Sequence, residues 1–191
     1  ERGPDAPKIR CETVALQESG ERTAVGVVEI VNDDMPFLFD SVMAELANRH
    51  LSVQLVMHPV FEVRRDGAKL AALGASDTAG SARESFIHVL VEPAADKAAC
   101  AALVQALGEV LGEVRLAVLD WRPMLERVNG VVTDLKTNPP PLPVDEIAEA
   151  IQFLQWLLAD NFTFLGVRNY TFDGNTLAAD PAGALGIMRS P

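Results

Sequence analysis

The chain has 191 residues, 49% hydrophobic and 23% charged, which suits one complete domain plus part of another. Sixteen basic against 27 acidic residues give a formal charge of −11, with lysine only at Lys8, Lys69, Lys97 and Lys136. A phosphate backbone or an anionic membrane needs clustered cations, so this balance argues against both as partners, and no apolar run approaches the ~20 residues of a bilayer span.

Residues 8–32 read as two strands around the turn chemistry of Ser19-Gly20-Glu21-Arg22, the second strand rich in Val and Ile. At Asn32-Asp33-Asp34-Met35-Pro36 that pattern stops. Asp33 or Asp34 is expected to cap a helix and Pro36 to sit in its first turn, with Leu38, Phe39, Val42, Met43 and Leu46 at helical spacing. Residues 51–65 alternate, which places Leu51, Val53, Leu55, Met57, Phe61 and Val63 on one face of a strand that can bend at Pro59. Val56, Val60, Phe86 and Leu90 fall on the opposite face of the sheet. A loop is expected over residues 66–83, then a strand from Phe86 to Val91.

From Asp96 onward Cys100, Leu103, Leu107, Val110, Val114, Ala117, Trp121, Met124, Val128, Val131 and Leu135 follow alternating steps of three and four, the heptad seam of a packed helix. Pro123 should bend or break it by crowding the carbonyl of Leu119, giving one bent helix or two end to end. Asn138-Pro139-Pro140-Pro141-Leu142-Pro143 is a stiff linker. A further helix from about Asp145, a strand over 162–172 and a turn at Asp173-Gly174-Asn175 follow. The fold class expected is α+β: an antiparallel, ferredoxin-like sheet with helices on one face and a long C-terminal helix.

Chemistry-bearing patterns are sparse. The glycines are too far apart for a dinucleotide-binding fingerprint or a P-loop, so no cofactor site and no catalytic or metal-binding residues are expected in this stretch. His58 and His88, with Glu92, could meet across a sheet, but polar residues on an exposed face are the simpler reading. Trp121 and Trp156 read as packing residues. Cys11 and Cys100 match no metal spacing and read as two buried thiols, with a disulfide the alternative.

Several blocks, in one order, carry a resemblance. VEIVNDDMPFLFDSVMAEL, LSVQLVMHPVFEVRRDG, ESFIHVLVE, DWRPMLERV and FLQWLLADNFTFLGVRNY are similar to the N-terminal region of the large bacterial NAD-specific glutamate dehydrogenases. The resemblance implies a cytoplasmic parent chain much longer than this one, which reads as a segment cut from it. In that parent a downstream domain uses NAD to convert L-glutamate to 2-oxoglutarate and ammonium. It implies an ACT-like regulatory domain with its long helix over residues 1–135, the linker over 136–143, and the start of a PAS-like module over 144–191. ACT domains often bind amino acids at a loop that reads Asp-x-Pro-Gly-Leu. The matching stretch here makes Asn32, Asp33, Asp34, Met35, Phe37 and Asp40 the candidate effector loop, with Phe37 in the glycine position and so filling space a ligand would need. The part of the seam that outruns one small sheet, Leu107, Val110, Val114, Trp121, Met124 and Val128, is the candidate assembly surface. The expected partners are other domains and subunits of the same homo-oligomeric enzyme. Two functions stay open, an assembly scaffold and an amino-acid effector module.

Overall fold

The computed structural model describes residues 2, 3, 5–18, 21–74, 80–93 and 96–190, so the turn expected at Ser19-Gly20 lies outside the described residues. The chain divides into two compact units, Glu1–Val114 and Arg115–Pro191.

In the first unit, β1 (Lys8–Glu18) and β2 (Glu21–Asp33) pair antiparallel from Lys8↔Val31 to Glu18↔Glu21. Helix α1 (Leu38–Asn48) leads to β3 (Ser52–Met57), β4 (Val60–Asp66), β5 (Lys69–Leu73) and β6 (Ser81–Glu92), and then to α2 (Lys97–Leu119). The six-stranded sheet runs β1-β2-β6-β4-β5, with β3 also on β6. β3 lies along residues 88–92 of β6 and β4 along residues 81–85, so they act as one strand broken at His58-Pro59. A strand following α2 would fill the free edge beside β2 in a ferredoxin-like sheet. Here the N-terminal strand β1 takes that edge.

Strand alternation sorts the core. Val28 and Ile30 face Val89 and Ile87 across the β2–β6 ladder. With Val91 they pack against Leu38, Val42 and Leu46 of α1 and Leu103, Leu107 and Leu111 of α2 in one buried cluster. Fully burying such a side chain is worth about 1.5–3 kcal/mol. Both helices therefore cover one face of an antiparallel sheet, an ACT-like arrangement.

Several local expectations are corrected. The even alternation over 51–65 fails because a register shift between Val53 and Leu55 reverses the phase. As a result Val53 and Val56 pack on the core, while Leu55 and Met57 are 45% and 48% exposed. Val56 thus leaves the open face to which alternation assigned it. The loop expected over 66–83 contains β5, hairpinned to β4 through Gly67 at φ +56°, a left-handed conformation that glycine adopts without steric cost. The cysteines are joined: Cys11 on β1 and Cys100 in the first turn of α2 form a disulfide, their Cα atoms 5.4 Å apart.

In the second unit α3 (Trp121–Thr137) follows α2 across Asp120, whose backbone lies at φ −94°, ψ 4°. The break expected where Pro123 crowds the carbonyl of Leu119 is there: α2 ends at Leu119 and Pro123 stands in the first turn of α3, where its missing N–H is harmless. The buried apolar side chains of this helical stretch are Ala117, Met124, Val128 and Val132. Their steps settle at four rather than alternating three and four, so Val131 is 47% exposed and Trp121 46%. The unit boundary within α2 lies upstream of the proline-rich stretch expected to divide the chain.

α4 (Val144–Trp156) starts after Pro143 and ends in a wide turn over Leu157–Asn161. It buries no residue, and Trp156, expected as a packing residue, is 53% exposed with its ring stacked on Phe153. β7 (Gly166–Phe172) and β8 (Leu177–Gly186) then form a hairpin. Its turn is the one expected at Asp173-Gly174-Asn175: the Asp173 carboxylate accepts from the backbone N–H groups of Thr176 and Asn175 at 2.7 and 2.9 Å, which holds it below the usual carboxylate range.

Candidate effector loop and open sheet face

The candidate loop joins the end of β2 to α1. The carboxylates that alternation and helix propensity assigned to capping do something else. Asp33 is the last residue of β2 and pairs with Arg2, while Asp34 pairs with Arg83 at 3.0 Å. Neither caps α1. The capping position belongs to Phe37, with φ +68°, ψ −1° and no side-chain cap. An ion pair with a nearby arginine competes well with a capping bond when the carboxylate is already on the sheet.

Phe37 is the most informative residue here. Its backbone lies in the left-handed region that glycine favours, which costs a bulky residue about 1–2 kcal/mol, and its ring remains 49% exposed. An aromatic side chain thus stands at the tip of the loop. Met35 packs on the core cluster, Asn32 is buried opposite Ser85, and Asp40 is exposed on the first turn of α1. Beside the loop, Phe39 stacks on His58 with ring centroids 5.4 Å apart, and His58 Nε2 lies 2.5 Å from Ser85 Oγ.

Sequence reasoning missed the strongest electrostatic feature. Glu84, 4% exposed, sits on β6 beside Asp33 of β2. Its carboxylate accepts from Arg65 Nε and Nη2 at 2.5 and 2.8 Å and from Arg2 Nη2 at 3.0 Å. The Arg65 guanidinium, seconded by Arg2, holds the Glu84 carboxyl below its ordinary value, and Glu84 in turn raises Arg65. Arg2, Asp33, Arg65 and Glu84 line a cavity of about 250 Å³. Nothing in the sequence singled out Glu84, which lies between Arg83 and Ser85 at the polar start of β6; its need for a cation follows only from its burial.

The face of the sheet opposite the helices carries Arg10, Glu29 and His88 in a row: Arg10 Nη2 is 2.6 Å from Glu29 Oε2, and His88 Nδ1 is 3.3 Å from Glu29 Oε1. Val31, Phe86, Leu90, Leu55 and Met57 share that face by register. His58, His88 and Glu92 do not converge, because Glu92 bonds Gln54 at 3.2 Å and each histidine has a different neighbour. Among the described residues no group of three or more His, Cys, Asp or Glu is placed to hold a metal ion. No described helix is long and apolar enough to cross a membrane.

The candidate seam divides in the same way. Leu107 belongs to the first unit's core, and Val114 packs against that core. Val110 is half-buried, Met124 and Val128 are buried, and Trp121 is exposed. These residues do not form one continuous exposed stripe.

Residues 1–107 match the family described as glutamate dehydrogenase, ACT1 domain. The chain is 38% identical over 172 residues to the NAD-specific glutamate dehydrogenase of Halomonas elongata, covering 87% of this chain and 11% of that protein. It is 31% identical over 192 residues to the NAD-specific glutamate dehydrogenase of Pseudomonas aeruginosa, covering 97% and 12%. With the Mycobacterium tuberculosis protein of that description the identity is 22% over 181 residues, covering 92% and 11%. The chain therefore spans about a tenth of the length of these relatives.

Proposed function

Since the chain belongs to the ACT1-domain family of glutamate dehydrogenases, we propose that it is a non-catalytic regulatory and assembly segment of a cytoplasmic, homo-oligomeric NAD-dependent glutamate dehydrogenase. In this reading the conversion of L-glutamate to 2-oxoglutarate and ammonium, and the NAD that accepts the hydride, belong to other parts of the parent chain. Residues 1–135 are the ACT-like domain with its helical extension in this reading, 136–143 the linker, and residues from about 144 open a PAS-like module. The helix α4 and the β7–β8 hairpin are compatible with such an opening.

The observation that carries the assembly reading is the open sheet face. Leu55 and Met57 stand nearly half exposed beside the ion-paired row of Arg10, Glu29 and His88. An apolar patch rimmed by charge is the usual composition of a protein-docking surface. Light scattering on the 191-residue chain tests it. A concentration-dependent association that disappears in Leu55→Asp/Met57→Asp is expected, and a strict monomer at high concentration would count against assembly. The same preparation should produce no NADH from glutamate and NAD; turnover would refute the non-catalytic reading.

A second reading, an amino-acid effector module, is favoured by the left-handed backbone at Phe37, the position where the ACT-type loop has glycine. Calorimetry against a panel of amino acids distinguishes the two. Heat that is lost in Asp34→Asn and enlarged in Phe37→Gly supports effector binding, and silence across the panel removes it for this segment.

A further inference from the structure

Neither reading uses the two cysteines. We infer that Cys11 and Cys100 form a thiol–disulfide exchange site, a reversible modification site for a small dithiol or a glutathione-type thiol that fastens and releases the edge strand β1.

Three observations meet there. First, β1 pairs only with β2 among the described strands, so the bond from Cys11 to Cys100 is its covalent tie to α2. Second, a cleft of about 540 Å³ is lined by both cysteines together with Glu12, Thr13, Lys97 and Val104, which gives a small thiol a route to the sulfurs. Cys11 is half-buried and Cys100 is 7% exposed, so Cys11 Sγ is the sulfur open to attack. Third, Cys100 lies in the first turn of α2, with Lys97 in the same cleft. A helix N-terminus and a neighbouring ammonium both stabilise a thiolate, while the Asp96 carboxylate caps the same helix end through the Ala99 N–H at 2.7 Å; the buried Cys100 is the sulfur that leaves. The opposing charge of Glu12 is engaged by Arg10 at 3.3 Å.

The exchange balances as follows. A thiolate of the dithiol attacks Cys11 Sγ, the Cys11–Cys100 bond breaks, and Cys100 leaves as thiolate. The second thiol of the reductant, losing its proton to solvent, attacks its own sulfur in the mixed disulfide and releases Cys11 as thiolate. Two electrons pass from the dithiol, which becomes a cyclic disulfide, to the protein pair. Oxidised glutathione runs the reaction backwards. Reduction leaves the core cluster of β2, β6, α1 and α2 in place and loosens the edge strand.

The test uses the 191-residue chain in native buffer, treated with dithiothreitol and then with oxidised glutathione, with alkylation read by mass and amide exchange read strand by strand. Both thiols should alkylate while the circular dichroism is retained, exchange at Ile9–Thr13 should rise about tenfold relative to β6, and oxidised glutathione should restore protection. Cys11→Ala/Cys100→Ala should show the raised exchange whatever the redox buffer. Thiols that alkylate only after denaturation, or reduction that leaves β1 exchange unchanged, would overturn the inference. If the double variant does not fold, the wild-type measurement alone decides.

Discussion

The two units hold themselves together by different means. In Glu1–Val114, Val28, Ile30, Leu38, Val42, Leu46 and Leu107 are all 1% exposed or less and meet in one cluster. In Arg115–Pro191, α4 buries nothing, and Phe153, Trp156, Tyr170, Phe172 and Leu177 are each more than half exposed. Its apolar core is small, Ala117, Met124, Val128 and Val132, and a polar clasp is added to it. Asp120, 7% exposed, accepts from the Gly186 backbone N–H at 2.7 Å and from Arg189 at 2.6 and 2.8 Å. Arg168 donates to the Met188 carbonyl at 2.5 Å. An apolar core gives non-directional stability that scales with buried area. A polar clasp gives less energy but fixes which backbone groups meet. The sheet unit should therefore fail by cavity formation, and the hairpin unit by loss of a single carboxylate.

The largest expected effect tests the core. Leu107→Ala should lower stability by about 4 kcal/mol in urea titration, the cost of removing a fully buried leucine from a packed interior, whereas Leu154→Ala on the half-buried side of α4 should cost under about 1 kcal/mol. Equal losses at the two sites would erase the distinction between the units. Next comes the clasp. Asp120→Ala should cost about 3 kcal/mol, because it strands the Gly186 N–H and the Arg189 guanidinium. Hydrogen exchange should place the loss in β8 and not in β6; uniform loss would mean that the clasp is not local.

The ionic cluster of the sheet unit sharpens the contrast, since it is a polar device inside the apolar unit. Glu84→Gln should cost about 2 kcal/mol at neutral pH. The folded state holds the Glu84 carboxyl below its ordinary 4.5, so the unfolded chain binds the proton first as pH falls. The stabilisation is complete above that ordinary value and disappears as pH falls through the depressed one. The gap between wild type and variant should close in acid, and a gap independent of pH would show that packing, not charge, is lost. The smallest effect has the opposite sign. Phe37→Gly should stabilise the chain by about 0.5–1 kcal/mol by relieving the left-handed backbone; a loss in thermal melts would show that the Phe37 ring contributes packing its exposure does not suggest.

The richness in valine and isoleucine over residues 23–31, the helical spacing from Leu38 to Leu46 and the Asp173-Gly174-Asn175 turn are local signals, and the structure carries each of them. The elements and the class of the fold were legible for that reason. The candidate site was legible only as a stretch of loop. Its position followed from the change of pattern at Asn32. The roles of its side chains did not, because Asp33 and Asp34 find their arginines from residues distant in the chain.

What the sequence determined by itself is most of the strands and helices in their order, β5 excepted, and the apolar spacing of α1, since period and propensity act between near neighbours. Tertiary structure alone decided the rest. One shifted residue at Val53/Leu55 reversed which side chains of β3 face the core. The ladder from Lys8↔Val31 carried the N-terminal strand to the sheet edge. That placement brought Cys11 to Cys100 across 89 positions, and burial of Glu84 drew Arg2 and Arg65 onto a single carboxylate. Register and the pairing of distant charges depend on contacts made only when the whole sheet is assembled, and no local pattern encodes them.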